Sequence, residues 1–371
     1  MENVGAVVEM IPDGVEQIDP DWLRAAVRPS DAATFSRLTS IRPERLGENT
    51  GMLSRLYRLQ LDYAPGAVGG PSTLVAKLPS DVPEVLEIAR AWNLYQREAV
   101  FYRELSGDVG LRVPRTYVTQ FDPQTHHFAL VMEDMAPAVD GDQVAGLTLD
   151  QVRLALDALA DLHARWWDRH ELIELEAAIQ PFGTGPWAGT GERLAAAWPV
   201  FKPFVAERAS AALLRVGNRM AATIDRQMLE VAKAPRTLCH GDFRADNLMF
   251  ARTAGGEVLV TLDWQVALQA RGAVDVSQLL SISVTTDLRR AHETELLRGY
   301  HDRLVANGVE GYGYDEFFAD YRRGLLIGFF YVILSGGAND VSQPRAGALY
   351  DCAVRRLDAI VGDHDLETLV A

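Results

Sequence analysis

One short stretch of the sequence carries residue types that suit phosphoryl transfer. It reads Leu238-Cys239-His240-Gly241-Asp242-Phe243-Arg244-Ala245-Asp246-Asn247, and the apolar run Val258 to Leu262 that comes later ends on Asp263. An Asp, an Asn five residues later and a second Asp after an apolar run are the groups that place a hydroxyl and hold Mg²⁺ against ATP in kinases. These residues predict a phosphotransferase.

The flanking residues indicate how two of these groups come together. Leu248 to Ala251 and Val258 to Leu262 are apolar and flank a glycine-containing turn, which predicts a β-hairpin. Asn247 and Asp263 each lie eight positions from Gly255, so the hairpin would bring both to its open end. Amide and carboxylate oxygens are ligands that Mg²⁺ accepts. We therefore expect Asn247 and Asp263 to form a magnesium site.

Two further polar residues lie upstream of the hairpin. Asp242 would be free to accept the proton of an attacking hydroxyl group, and His240 is expected to organise the loop rather than transfer protons. The alternative is an ordinary turn before a hairpin, since Asp and Asn favour turns on their own. The joint occurrence of the loop, the hairpin and the terminal Asp263 favours the catalytic interpretation.

The motif resembles that of a known family. His240-Gly241-Asp242, Asn247 and Leu262-Asp263-Trp264-Gln265 are similar to the catalytic loop and metal site of the aminoglycoside phosphotransferases, especially their ecdysteroid-kinase-like and choline-kinase-like branch. The resemblance implies ATP- and Mg²⁺-dependent transfer of the γ-phosphoryl group to a hydroxyl of a small molecule. Trp264 and Gln265 replace the Phe-Gly of protein kinases, and no A-P-E segment is visible, which argues against protein kinase activity.

The resemblance also implies a fold. We expect an α+β, bilobal protein-kinase-like fold, with a small antiparallel sheet and one long helix in the amino-terminal lobe and a larger, mainly helical carboxy-terminal lobe. Residues 1–135 would form the nucleotide-binding lobe. Residues 136–371 would form the catalytic and substrate-binding lobe, where substrate choice would be made.

The amino-terminal lobe should supply a lysine and a glutamate. Lys77 lies in an apolar run that resembles the kinase strand whose lysine contacts the α- and β-phosphates. Residues 83–105 predict one long helix, because apolar residues recur at three- and four-residue spacing. Glu98 falls within that apolar stripe, and a buried carboxylate is costly unless it is paired. Lys77 is the expected partner, and Arg97 or Arg103 on a wetter face is the alternative.

The remaining nucleotide contacts are less distinctive. The turn that contains Gly51 and Ser54 precedes a predicted strand and could place backbone N–H groups near a phosphate. It has no G-x-G-x-x-G pattern, so an ordinary hairpin turn is the alternative. By resemblance, backbone groups of Glu133 and Met135 would contact the adenine edge where the chain crosses to the second lobe.

One residue of the second half, Asp275, is a candidate for supporting the site. Asp275 lies in the segment Arg271-Gly272-Ala273-Val274-Asp275-Val276, which resembles a family feature in which an aspartate braces the catalytic loop from the following helix. This would add Asp275 to Asp242 and His240 as a site residue. An acid in the first turn of a helix, favoured by the helix dipole, is the alternative for Asp275.

Thr148-Leu149-Asp150-Gln151 predicts a capping box before a helix. His163 lies on the apolar face of that helix and is expected to be a hydrogen-bonded core histidine.

Composition is consistent with this interpretation. The chain has 371 residues, of which 48% are hydrophobic, and its 36 basic and 51 acidic residues give a formal charge of −15. This charge disfavours binding to nucleic acid or to an anionic membrane. Two cysteines, no basic amino-terminal signal region and no apolar run longer than about half a membrane-spanning helix predict a cytoplasmic protein. The sequence leaves the oligomeric state open.

Two other function classes remain as alternatives. A kinase-like pseudoenzyme could bind a nucleotide or another ligand without turnover. The joint presence of five residues disfavours it, namely Lys77, Glu98, Asp242, Asn247 and Asp263. A metal-dependent hydrolase built on His240, Asp242 and Asp263 would not explain why Lys77 and Glu98 are present.

Overall fold

The computed structural model describes residues 10–47, 53–67 and 69–371. The chain divides into two compact units, one formed by Met1–Gly107 with Val113–Pro137 and the other by Asp108–Arg112 with Ala138–Ala371. The sequence predicts a functional division between residues 135 and 136, and the roles of the two parts stay predictions.

The first unit contains a five-stranded antiparallel sheet in the order β1-β2-β3-β5-β4. Its strands are β1 (Leu38–Leu46), β2 (Ser54–Tyr63), β3 (Thr73–Pro79), β4 (Thr116–Phe121) and β5 (Phe128–Glu133). Two short helices, α1 (Pro20–Ala26) and α2 (Ala32–Phe35), precede β1. Leu74, Ala76 and Leu78 of β3 pack with Leu23 and Phe35 in one apolar core. Because side chains alternate along a strand, Lys77 lies on the opposite face of the sheet.

The prediction of one long helix over residues 83–105 is wrong, because the structure divides these residues into three segments. These are α3 (Pro83–Ala91), α4 (Leu94–Val100) and a π-helical turn (Phe101–Leu105). Asn93 separates α3 from α4 by adopting a left-handed conformation with φ +52°. Asn tolerates that conformation better than most residues, so the apolar spacing continues across a point where the helix itself is interrupted.

The second unit is mainly helical. Its helices are α5 (Leu149–Arg165), α6 (Glu171–Glu174), α7 (Thr190–Ala206), α8 (Ala211–Met220), α9 (Ile224–Val231), α10 (Ala273–Ile282), α11 (Thr286–Ala306), α12 (Tyr314–Ala338) and α13 (Pro344–Asp363). The capping box predicted at Thr148 is present at the start of α5. No helix in the described part of the chain combines the length and apolar content needed to cross a membrane.

Five short strands of the second unit position the catalytic motif. They are β6 (Val139–Asp140), β7 (Thr237–Cys239), β8 (Leu248–Thr253), β9 (Gly256–Thr261) and β10 (Leu268–Ala270). Strands β8 and β9 form the predicted hairpin, and beyond the ladder the Leu262 N–H donates to the Asn247 carbonyl at 2.9 Å. Strand β7 pairs with β10 and leads into the loop that begins at His240. All ten residues of α10 are buried beneath this region.

Candidate active site

The predicted catalytic loop begins where β7 ends and turns sharply at Gly241. This residue has φ +78°, and a Cβ atom there would lie 2.3 Å from the Val266 carbonyl oxygen, so only glycine fits. The buried Asp275 carboxylate of α10 accepts hydrogen bonds from the His240 N–H at 2.7 Å and the Gly241 N–H at 2.9 Å. Asp275 therefore braces the loop and also lies in the first turn of α10, so both interpretations of this residue hold.

His240 connects the loop to the end of β9. Its Nε2 lies 2.8 Å from the Leu262 carbonyl oxygen, and the Asp242 N–H donates to its Nδ1 at 3.2 Å. These contacts require the tautomer protonated on Nε2. Its ring also packs against Trp264, with the ring centroids 4.5 Å apart. Both ring nitrogens are hydrogen-bonded within the protein, which fits an organising role and disfavours a metal-dependent hydrolase with His240 as a ligand.

The Asp242 carboxylate has more partners than the sequence suggests. Its Oδ1 accepts from Gln278 Nε2 at 3.1 Å, and its Oδ2 accepts from Asn247 Nδ2 at 2.8 Å and Arg244 Nε at 3.2 Å. The expected role of Asp242 in accepting a proton stays a prediction. Its side chain is still 24% exposed, so three donors fix the orientation of a carboxylate that solvent or a substrate can reach.

Arg244 lies inside the motif but has no role assigned from the sequence. Its Nη1 donates to Gln143 Oε1 at 3.1 Å and Asp246 Oδ2 at 3.2 Å, in addition to the contact of Nε with Asp242. Burial disfavours the charged guanidinium, but the attraction of Asp242 and Asp246 outweighs burial and raises the pKa of Arg244 above its ordinary value. The side chain remains a cation beside Asp242.

The proposed magnesium ligands, Asn247 and Asp263, both lie at the open end of the hairpin. Asn247 Nδ2 donates to both the backbone oxygen and the Oδ2 of Asp242, each at 2.8 Å, which makes the amide oxygen Oδ1 the atom suited to a cation. Asp263 adopts a left-handed conformation with φ +63°, and its Oδ2 accepts from Gln265 Nε2 at 3.0 Å. Strained backbone of this kind is concentrated at functional sites. Two oxygen donors of this type fit Mg²⁺.

The first unit brings Lys77 and Glu98 together. Lys77 Nζ lies 2.8 Å from both Oε1 and Oε2 of Glu98, and the two side chains are 7% and 1% exposed. Arg103 instead contacts Glu104 on the surface. Helix α4, which carries Glu98, is held against the sheet by Tyr95, whose ring stacks on Phe128 with the centroids 5.2 Å apart. The structure thus forms the ion pair expected of a kinase-like phosphate site.

The other predicted nucleotide contacts remain predictions. Gly51 lies outside the described residues. Ser54 begins β2, and its hydroxyl is buried, so in this conformation the hydroxyl does not face solvent. Glu133 ends β5, where its N–H donates to the Arg115 carbonyl at 2.8 Å, so that N–H is already engaged. Met135 follows in a half-buried position.

A buried cluster beneath the loop joins His163 and Cys239 to Asp275. Ligand atoms of His163, Cys239 and Asp275 lie within 4.8 Å of one another. His163 contacts Asp275 Oδ2 through Nε2 at 3.2 Å and the Tyr300 hydroxyl through Nδ1 at 2.7 Å. Burial raises the pKa of the Cys239 thiol well above its ordinary value, which keeps it protonated. The cluster is a hydrogen-bonded brace, and His163 is the predicted core histidine.

Comparison with known proteins gives the family and the fold. The model of the ecdysteroid kinase-like family matches residues 48–310, and no curated protein matches the sequence. Among solved structures, Plasmodium vivax ethanolamine kinase is 10% identical, with a TM-score of 0.55 over 90% of this chain and 84% of that one. The aminoglycoside phosphotransferase APH(2″)-IIIa, solved with GDP and kanamycin, is 14% identical, with a TM-score of 0.54 over 88% and 95%. The predicted protein-kinase-like α+β fold is confirmed.

Proposed function

The chain belongs to the ecdysteroid kinase-like family, and from this premise we propose that it transfers the γ-phosphoryl group of ATP to a hydroxyl of a small molecule. The observation that carries the proposal is the partly exposed Asp242 carboxylate, which three side chains orient. A carboxylate fixed in this way can orient a hydroxyl group and accept its proton during phosphoryl transfer.

Each unit would supply part of the nucleotide machinery. Lys77, kept in place by Glu98, would neutralise charge on the α- and β-phosphates. Asn247 Oδ1 and the Asp263 carboxylate would hold Mg²⁺, which when bound neutralises charge on the phosphate oxygens. His240 and Asp275 would act by fixing the loop rather than by contacting substrate. The free thiols Cys239 and Cys352 fit the cytoplasmic location that we include in the proposal.

Calorimetry with ATP, with and without Mg²⁺, and with GTP as a comparison, tests the nucleotide half of this proposal. We expect Mg²⁺-dependent binding of ATP to the wild-type protein. Asp263→Ala should weaken the Mg²⁺-dependent part of binding, whereas Asp302→Ala, which removes an exposed carboxylate from α11, should not. If ATP binds neither with nor without Mg²⁺, the proposal that the protein is a kinase loses its basis.

A screen of hydroxylated small molecules for ADP release tests the transfer step. Asp242→Ala should lower kcat about 10³-fold because the group that accepts the proton is lost, while ATP binding by calorimetry stays within about twofold. If Asp242→Ala has the kcat of the wild-type protein, Asp242 does not have the proposed role of accepting the proton. Mg²⁺-dependent ATP binding without ADP release for any acceptor, or for water, would instead indicate a pseudoenzyme.

A further inference from the structure

Gln278 of α10 makes an unusual pair of contacts with the catalytic loop. It is 2% exposed. Its Oε1 accepts from the Phe243 N–H at 2.8 Å, and its Nε2 donates to Asp242 Oδ1 at 3.1 Å. Only one orientation of the amide satisfies both partners, because an N–H requires an acceptor and a carboxylate requires a donor. One side chain therefore holds both the backbone and the carboxylate of the loop.

The helix that carries Gln278 is well suited to positioning. Asp275 lies three residues earlier, on the same side of α10, and holds the amides of His240 and Gly241. Ser283, at the end of the helix, accepts from the Ala245 N–H through its hydroxyl at 2.8 Å. The catalytic loop is thus attached to a fully buried helix by side chains at three points along it. Gln278 is the attachment that also touches Asp242.

We infer that Gln278 is a positioning residue that directs Asp242 toward the acceptor hydroxyl. The inference rests on the proposed phosphoryl transfer. Asn247 and Arg244 both contact Oδ2 of the carboxylate, whereas Gln278 contacts Oδ1. Without the Gln278 donor, the carboxylate can rotate about its terminal torsion, which is a soft one. A displacement of about 1 Å at a reacting group can cost about 10²-fold in rate.

A purely structural role makes a different prediction. In that case Gln278 would serve only to satisfy the buried Phe243 N–H. Activity would then fall only in variants in which the backbone of the loop becomes disordered. The two hydrogen bonds can be separated by substitution. Gln278→Glu keeps an oxygen acceptor for Phe243 but replaces the donor to Asp242 with a second carboxylate oxygen. Gln278→Met keeps the length of the side chain and removes both hydrogen bonds.

Three measurements on the full chain test the inference. They are the kcat and KM of Mg·ATP hydrolysis with water as acceptor, hydrogen exchange at the Phe243 amide, and the Asp242 side-chain torsion in a crystal structure of Gln278→Glu. In Gln278→Glu we expect kcat to fall about 10²-fold with KM for ATP unchanged. Phe243 should stay protected in that variant and Asp242 should be rotated. In Gln278→Met we expect the same fall in kcat together with loss of Phe243 protection.

Gln227 of α9 provides the matched control, because it is 4% exposed and donates to the Leu369 carbonyl at 2.8 Å. Gln227→Glu and Gln227→Met should leave kcat and KM unchanged. Wild-type kcat in Gln278→Glu with Phe243 protected would overturn the inference and show a purely structural role. If the wild-type protein releases ADP neither with water nor with any hydroxylated acceptor, the proposed function fails, and the Asp242 torsion alone then decides the inference: an unchanged torsion would overturn it.

Discussion

Glu98 in the first unit and Asp275 in the second are both buried carboxylates, 1% and 0% exposed, and the protein compensates them in different ways. Glu98 contacts the ammonium group of Lys77 at 2.8 Å. Asp275 instead accepts from the backbone N–H groups of His240 and Gly241 and contacts His163. Glu98 is thus compensated by an opposite charge, and Asp275 by oriented hydrogen-bond donors.

The difference shows two ways of building a functional site. A buried ion pair makes two side chains depend on each other, so loss of either one leaves an uncompensated charge. A carboxylate held by backbone donors makes a loop depend on one residue, because each N–H that loses its acceptor is left unsatisfied in the interior. We therefore expect Asp275 to control the shape of the loop, and Lys77 with Glu98 to control charge at the proposed nucleotide site.

The largest effect should come from Asp275→Ala. The substitution leaves the His240 and Gly241 N–H groups and the His163 ring without their acceptor, so we expect the free energy of unfolding to fall by about 5 kcal/mol. Urea denaturation measures the loss, and hydrogen exchange at His240 and Gly241 should increase. Asp302→Ala, on the exposed side of α11, is the control and should stay within about 0.5 kcal/mol of wild type. An equal, small change in both variants would show that Asp275 braces nothing.

Removing one member of the ion pair should cost somewhat less. We expect Lys77→Met and Glu98→Gln each to lower the free energy of unfolding by about 3 kcal/mol, because each leaves a buried partner without its counter-charge. The double variant should cost less than the sum of the two single variants, since the residues contact each other. Urea denaturation of the four proteins completes the double-mutant cycle.

An exposed pair in the same unit provides the comparison. The side chains of Arg103 and Glu104 are 51% and 48% exposed, and Arg103 Nη2 lies 2.9 Å from Glu104 Oε1. Glu104→Gln should change the free energy of unfolding by no more than about 0.5 kcal/mol, because exposed pairs are screened by water. Additive losses for Lys77→Met and Glu98→Gln would mean that their contact contributes no coupling.

The same contrast explains what the sequence could predict. The Lys77–Glu98 contact could be inferred because a charged residue in an apolar stripe needs an opposite charge, and few candidates exist. The hairpin and the Thr148 capping box were also predictable, because their signals are local. No sequence pattern marks Gln278 as part of the site, because its partners are a backbone N–H and a carboxylate that become its neighbours only in the folded chain. Asn93 was missed because its left-handed conformation leaves the apolar spacing almost unchanged.

A third carboxylate combines both kinds of compensation and sharpens the comparison. Glu293 of α11, 14% exposed in its side chain, accepts from the Tyr321 hydroxyl at 2.6 Å and Arg289 Nη1 at 2.9 Å, and lies 3.1 Å from His364 Nε2. Burial alone would raise the pKa of Glu293, but the His364 hydrogen bond and the other partners outweigh it and lower the pKa. Its contribution to stability is therefore complete above the pKa of the unfolded chain, about 4.3.

That contribution should be lost as the pH falls through the lowered pKa of the folded state. We expect Glu293→Gln to cost about 1.5 kcal/mol near neutral pH, the smallest of these effects, because hydrogen bonds to a charged group are lost while the shape is kept. The difference from wild type, measured by urea denaturation from about pH 5 to about pH 3, should shrink as the wild-type carboxylate takes up its proton. Glu310→Gln, at an exposed position in the loop after α11, should give a curve parallel to wild type. A Glu293→Gln difference that stays constant over this range would mean that the charge of Glu293 contributes nothing and that only its packing matters.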